Sequence, residues 1–264
     1  MVTGASSGIG RACAQALLDD GHRVFGTFRS PPPQAELEAL EAVRMDVTDD
    51  DSVKAGIAEV LRVASRIDVL VNNAGYGLAG AVEDTDLDEA RRQFDTNVFG
   101  VLRLCRGVLP DMRARREGLI INVSSLGGLF GLPFQGIYAG SKFALEGISE
   151  ALRHEVAEFG VRVTLVEPGD IATGITDNRV TARAAGEGSA YAASFAKALE
   201  TIERDERGGP SPAIVASLVA RLVHEQAPRQ RYAVGRFVQR SSVWAKRLLP
   251  EFVFERIIRG YFGL

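Results

Sequence analysis

Four short and almost uninterrupted apolar runs pass through the chain at residues 23–25, 67–71, 119–123 and 161–166, each separated from the next by a stretch long enough to hold a helix. A strand wetted on one face alternates apolar and polar residues. A strand without that alternation is covered on both faces, as in a parallel sheet with helices on either side. The intervening segments 9–20, 50–64, 87–116 and 137–159 read as helices, and Gly21 and Gly160 stand just past two of them, where a left-handed cap is wanted. The alternation predicts an α/β fold, a doubly wound parallel sheet flanked by helices. Ser30-Pro31-Pro32-Pro33 breaks the chain after the second strand. Residues 172–212 read as a helical, mobile insertion and residues 236–264 as a helical C-terminal segment, with no linker or internal repeat between. One domain over residues 1–264 is therefore expected.

The loop Thr3-Gly4-Ala5-Ser6-Ser7-Gly8-Ile9-Gly10 leads into the first helix. Its glycines permit a tight turn and close approach of backbone to a pyrophosphate, and the helix N-terminus then offers free N–H groups and partial positive charge. Only Met1 and Val2 precede this loop, fewer than the five or six residues of an ordinary strand, so the first strand is expected to begin upstream. Tyr138 and Lys142 stand four apart and share one helix face. A tyrosine ordinarily titrates near 10. An adjacent ammonium and a positive ring favour tyrosinate, and about 4 kcal/mol of such help would bring it near 7, where it exchanges protons readily. The second strand ends in Phe28-Arg29. An acid there would bind the ribose hydroxyls of NAD, whereas an arginine matches the 2′-phosphate of NADP with two charge-assisted bonds. NADP(H) is thus expected over NAD(H), with Ser7 adding a hydroxyl contact.

These features recur in order with others. Asn72-Asn73-Ala74-Gly75, Asn97 within Thr96-Asn97-Val98, Ser125 thirteen residues before Tyr138, the Tyr-x-x-x-Lys of Tyr138 and Lys142, and Pro168-Gly169 follow the glycine loop between residues 3 and about 173. Together they resemble the short-chain dehydrogenase/reductase family. The resemblance implies a Rossmann fold that binds NADP(H) through Gly4, Ser6, Ser7, Gly8, Ile9, Gly10, Arg29, Asp46, Val47, Asn73, Ala74, Gly75, Tyr138, Lys142, Pro168, Gly169, Ile171 and Thr173. It implies a catalytic set of Asn97, Ser125, Tyr138 and Lys142. Tyr138 would exchange the proton, Lys142 would also hold the nicotinamide ribose, Ser125 would hold the substrate oxygen, and Asn97 would anchor a relay water. The implied reaction interconverts a carbonyl and an alcohol by hydride transfer.

Residues 126–134 and 141–147 resemble more closely the 17β-hydroxysteroid dehydrogenases and retinol-dehydrogenase-like enzymes. Leu132 would line an apolar substrate pocket beside Ser125 and Tyr138, with Leu129, Phe130 and Phe134 able to widen it. Asp170 departs from the small or apolar residues usual after Pro-Gly in that company, which argues against a purely steroid pocket. A net charge of −3 speaks against a nucleic-acid partner. Cys13 and Cys105 lack metal-ligand spacing, read as buried reduced thiols, and no metal is expected. Residues 236–264 carry six basic and two acidic side chains, +4 against −7 for the rest. Glu251 and Glu255 interrupt the basic run, so this segment is expected to pack over the substrate pocket or against a neighbour rather than on a membrane. A cytoplasmic homodimer or homotetramer acting on a small carbonyl or alcohol is expected, with copies pairing through the helices near Asp88 and Gly136. A non-catalytic NADP(H) sensor, or an epimerase of the same fold, is the alternative.

Overall fold

The computed structural model describes residues 1–30, 40–174 and 176–264. The predicted break at Pro31, Pro32 and Pro33 lies outside the described residues. Strands β1 (Phe25–Phe28), β2 (Glu41–Arg44), β3 (Val69–Asn72), β5 (Gly118–Val123), β6 (Val161–Pro168) and β8 (Arg231–Val234) pair only in parallel. β1 and β2 form one pair, and β3-β5-β6-β8 form the other group. Val2 joins the two, bridging Gly26 on one side and Val71 on the other. The start of the chain therefore occupies the middle of the sheet, as the glycine loop required, although it contributes bridges rather than a full strand. A small parallel pair, β4 (Leu78–Ala79) with β7 (Val180–Thr181), lies apart from it.

Alternate residues of the central strands enter two separate cores. Leu70 and Ile120 pack with Val53, Ile57, Leu104, Val108 and Leu145 of α2 (Asp50–Ala64), α4 (Gly100–Arg115) and α5 (Gly136–Val156). Val71, Leu119 and Ile121 pack with Cys13, Leu17, Val215 and Leu222 of α1 (Gly8–Asp19) and α7 (Ala213–His224). Period-two strands with both faces apolar require two helical layers, and the two clusters are those layers. Cys13 and Cys105 are buried and free, and burial pushes both thiols up to about 12.

The boundaries correct the sequence reading in three places. The helix expected over 87–116 is divided into α3 (Leu87–Phe94), a π-helical turn at Asp95–Phe99, and α4. Wide turns of this kind inside α-helices frequently mark functional sites. The pattern of residues 87–116 is helical throughout, so periodicity alone could not reveal the turn. β2 and β8 were not among the four apolar runs, because Glu41, Arg44 and Arg231 place charge in strands lying at the two ends of the strand order. The 172–212 segment adds the short strand β7 to the expected helix, α6 (Ala192–Arg207), whereas the C-terminal segment is helical as read, with α8 (Phe237–Leu248) and α9 (Glu251–Tyr261). Gly21 and Gly160 adopt φ of +81° and +70°, the left-handed conformation expected after their helices.

Candidate active site

The carboxyl ends of the parallel strands open into one cavity of about 1150 Å³. This is where open α/β sheets bind ligands. One end is walled by the glycine loop through Gly4, Ser6, Ser7, Gly8 and Ile9. Gly4 and Gly8 have φ of +64° and +55°, so both use the conformation that favours glycine. Gly10 does not reach the cavity wall. It is buried beneath the loop, where a side chain would collide with the Gly4 carbonyl and the Asn73 amide. Its predicted contact is therefore replaced by a packing role.

Thr3 ties this loop to the end of β3. Its fully buried hydroxyl accepts from the backbone N–H of Asn73 at 2.9 Å and of Ala74 at 3.0 Å. The Asn73 side chain donates back to the Thr3 carbonyl at 3.0 Å. Thr3 was not among the predicted site residues, although its place directly before Gly4 was the signal. Ser7 precedes α1 without capping it by its side chain, so the first-turn N–H groups take no acceptor from it, and Gly8 and Ile9 of that turn line the cavity. Uncapped donors beside glycine backbone fit a dinucleotide pyrophosphate. Asn73, Ala74, Gly75, Asp46, Val47, Pro168, Gly169, Ile171 and Thr173 line the same cavity, as does Arg29 at the end of β1. Phe28 is buried, whereas Arg29 is exposed. Asp46 accepts from the Thr48 N–H at 2.9 Å and hydroxyl at 2.7 Å; burial raises its carboxyl, but these bonds and the charges of Arg29 and Arg103 bring it below the usual carboxylate range.

In the middle of the cavity, Ser125, Tyr138 and Lys142 converge. Ser125 heads a 3₁₀ turn after β5 and accepts from the Gly127 N–H at 3.0 Å. Lys142, one turn further along α5, is buried, and its Nζ donates to the Val123 carbonyl at 2.9 Å and stands 5.9 Å from the Tyr138 ring centre. Burial holds the ammonium down to about 8, against the opposing pull of Glu146. Tyr138 is pushed up instead of down. Burial dominates, Ser125 and Arg179 oppose it, and Glu206 and Asp170 add to it. The protein's own groups therefore favour the protonated phenol at neutral pH; the expected lowering toward 7 combines Lys142 with the positive nicotinamide ring, which is not one of those groups.

Asn97 lies in the π-turn and does not line the cavity. Its amide oxygen accepts from the Tyr76 N–H at 3.2 Å, and its nitrogen donates to the Tyr76 carbonyl at 3.1 Å and the Ser141 hydroxyl at 3.2 Å. Ser141 in turn donates to the Tyr138 carbonyl at 2.6 Å. These contacts make Asn97 a brace behind α5.

The far end is apolar, walled by Leu126, Phe130 and Leu132 and closed by Phe254, Ile257 and Ile258 of α9. Phe130 and Phe254 meet edge to face, 5.5 Å between ring centres. The C-terminal segment thus packs over the pocket, as expected. Leu129 and Phe134 do not reach the cavity: Leu129 packs behind Leu126 and Phe130, and Phe134 lies against Phe195, 5.6 Å between ring centres. Among this apolar wall stands a charged group that sequence reading found only in Asp170. Glu206 on α6 pairs with Arg179 and accepts from the Thr176 hydroxyl at 2.7 Å, and Asp205 accepts from Tyr261. Gln239 of α8 donates to Asp170. Burial and the nearby Glu206 and Asp205 carboxylates raise Asp170 to about 6. Residues 27 to 69 positions apart form these contacts, and no spacing announced them.

The family described as short chain dehydrogenase matches residues 1–184. A 3-ketodihydrosphingosine reductase of Bacteroides thetaiotaomicron is 42% identical, covering 100% of this chain and 97% of its own length. Human retinol dehydrogenase 8 is 41% identical over 66% of this chain and 58% of that protein. Among solved structures, a short-chain dehydrogenase from Streptomyces avermitilis has a TM-score of 0.80 at 35% identity, covering 98% of this chain and 97% of that one. A relative from Burkholderia phymatum in complex with NAD gives 0.79 at 26% identity, over 96% and 92% of the two chains. A metagenomic short-chain oxidoreductase in complex with NADP gives 0.70 at 30% identity, over 88% and 94%. The chain belongs to the short-chain dehydrogenase family: it is an oxidoreductase of alcohol and carbonyl groups with a fold that binds NAD(P).

Proposed function

We propose that this oxidoreductase uses NADP(H) to interconvert an apolar, lipid-like ketone and its alcohol, with Tyr138 as the proton-exchanging group. The observation that carries the reading is the convergence of Ser125 and Tyr138 beside buried Lys142, set where the glycine-loop end of one cavity meets its apolar end. When bound, the nicotinamide supplies or accepts the hydride. Gly4, Ser6, Ser7, Gly8 and Ile9 would hold the pyrophosphate against the start of α1, and Lys142 would hold the ribose. Ser125 would fix the substrate oxygen. Tyr138, protonated at neutral pH, would give its proton to that oxygen during reduction. Lys142, charged below about 8, would stabilise the phenolate left behind.

Arg29 supports NADP over NAD. It lines the adenine-side end of the cavity, its charge reaches Asp46, and Phe28 beside it offers no acceptor for a ribose hydroxyl. The apolar end and the full-length likeness to a protein named 3-ketodihydrosphingosine reductase support a lipid-like ketone. Asp170, with Asp205 and Glu206 nearby, favours a substrate that carries a hydrogen-bond-donating or cationic head beside its ketone. In this reading residues 1–264 act as one unit, because the cavity takes its walls from Gly4 through Phe262. Copies would pair through α3 and α5, as the resemblance implies. The test is a panel of long-chain keto lipids, retinoids, steroids and small ketones with NADPH and NADH, measured for kcat/KM. A preference for small polar ketones, or for NADH, would overturn the corresponding half of the proposal.

A further inference from the structure

The inner face of the C-terminal helices closes the cavity, and Phe237, Arg240, Trp244 and Arg247 of α8 line a groove shared with Ile214, Leu218 and Arg221 of α7, yet the outer face of the C-terminal helices stays exposed. No side chain of α8 is buried. Phe237, Trp244 and Leu248 are 82%, 63% and 78% exposed. Their spacings of seven and four put them on one face of the helix. Arg240 and Arg247, three residues after Phe237 and Trp244, are exposed along the same side of that stripe, and the Arg247 guanidinium stands 5.8 Å from the Trp244 ring centre. On α9, Phe252 is 73% exposed, and Arg256 and Arg259, four and seven residues on, are exposed on its face, where they outnumber the one carboxylate there, Glu255.

We propose that this outer face of α8 and α9 docks on the surface of an anionic lipid bilayer. Large apolar side chains flanked by arginines are what an interfacial helix presents, the rings entering the headgroup boundary while the guanidinium groups reach phosphate. Charge supplies the orientation. The 236–264 segment carries +4 and the remainder −7, so an anionic surface attracts this face and repels the rest. The same charge argues against a second copy as the occupant, since a two-fold contact would bring the basic faces together. Among the described residues no helix is long and apolar enough to cross a membrane, so the contact is with the surface.

The docking face adjoins the mouth of the reaction cavity. Val238, Ile257 and Tyr261 are exposed and also line that cavity. Docking would therefore place the mouth at the bilayer, where an apolar substrate is dissolved. This delivery role rests on the functional reading above; the docking itself does not.

Trp244 is the single tryptophan of the sequence, so its fluorescence reports on this face alone. The full-length protein is titrated with vesicles of phosphatidylcholine plus phosphatidylserine, and with vesicles of phosphatidylcholine alone. Docking predicts a blue shift with the anionic vesicles, quenching by lipids brominated in the acyl chain, and release by salt. Arg240→Gln and Arg247→Gln should each weaken partitioning about fivefold, and Leu248→Asp by about tenfold or more. None of the three lines the cavity, so turnover of a water-miscible ketone should be unchanged, which also shows that the variants are folded. Emission unaltered by anionic vesicles at low salt would overturn the proposal. So would a shift that grows with protein concentration and ignores vesicles, because the face would then belong to a second copy. Vesicle binding by a protein that reduces no lipid-like ketone would uphold docking and sink the substrate reading instead.

Discussion

The two ends of the cavity are built by different means. The glycine-loop end is held by backbone and by buried bonds such as Thr3 to Asn73 and Ala74, with Gly4 and Gly8 in conformations that few other residues adopt. The apolar end is assembled from Leu126, Phe130 and Leu132 after β5 and from side chains of α6, α8 and α9, and α8 buries none of its own. A dinucleotide pyrophosphate presents the same shape and charge to every protein that binds it, so backbone geometry suffices there. A substrate end must differ between relatives, and side chains on peripheral helices can be exchanged without disturbing the sheet.

The sharpest test of the comparison lies where the two ends meet. Tyr138→Phe removes only the exchangeable proton, so kcat should fall by about 10²- to 10⁴-fold while NADPH affinity stays within about twofold, as a change confined to the chemical step would give. Stopped-flow turnover and NADPH fluorescence titration check the two halves; near-normal turnover would remove Tyr138 from the chemistry.

At the nucleotide end, Arg29→Ala should weaken NADPH by roughly 10- to 150-fold, the worth of a charge-assisted contact of about 1.5–3 kcal/mol, and leave NADH nearly unchanged. Phe28→Asp should go further toward NADH, by adding an acceptor and repelling the phosphate. The ratio of kcat/KM with the two cofactors decides; a ratio indifferent to Arg29 refutes the phosphate contact.

Thr3→Val probes whether the glycine-loop end depends on its buried tether. Two backbone N–H groups lose their acceptor, a cost of about 1–3 kcal/mol, and chemical denaturation should show it as a lower midpoint at unchanged m-value. An unshifted midpoint would mean that the loop holds itself.

The smallest effect belongs to the apolar end. Asp170 is raised from an ordinary 3.8 to about 6, so the folded state retains a proton that the unfolded chain has released. Stability from this group is full below 3.8 and is lost as pH rises through about 6. Asp170→Asn removes that loss while keeping an acceptor for Gln239. It should raise the melting temperature by a few degrees at pH 8, about 1 kcal/mol, and by less at pH 5. An equal gain at both pH values would show that the carboxylate is not held in a hostile setting.

How far the sequence could be read follows the same division. The sheet, its two helical layers and the glycine loop were legible because each depends on local spacing: period two, period 3.6, and glycines at fixed intervals. Ser125, Tyr138 and Lys142 were legible because two of them share a helix turn and the third ends a strand. The π-turn under Asn97, the burial that raises Tyr138, and the carboxylates around Asp170 were not, since Glu206 and Asp205 approach from α6. The amino-acid order by itself determined which backbone could form and which residues could carry the chemistry, because those are set by steric preference and apolar periodicity within a few neighbours. Only the tertiary structure decided which charges share a buried space and which apolar face is left without a partner, because Coulomb interaction and burial depend on distance through space and not along the chain.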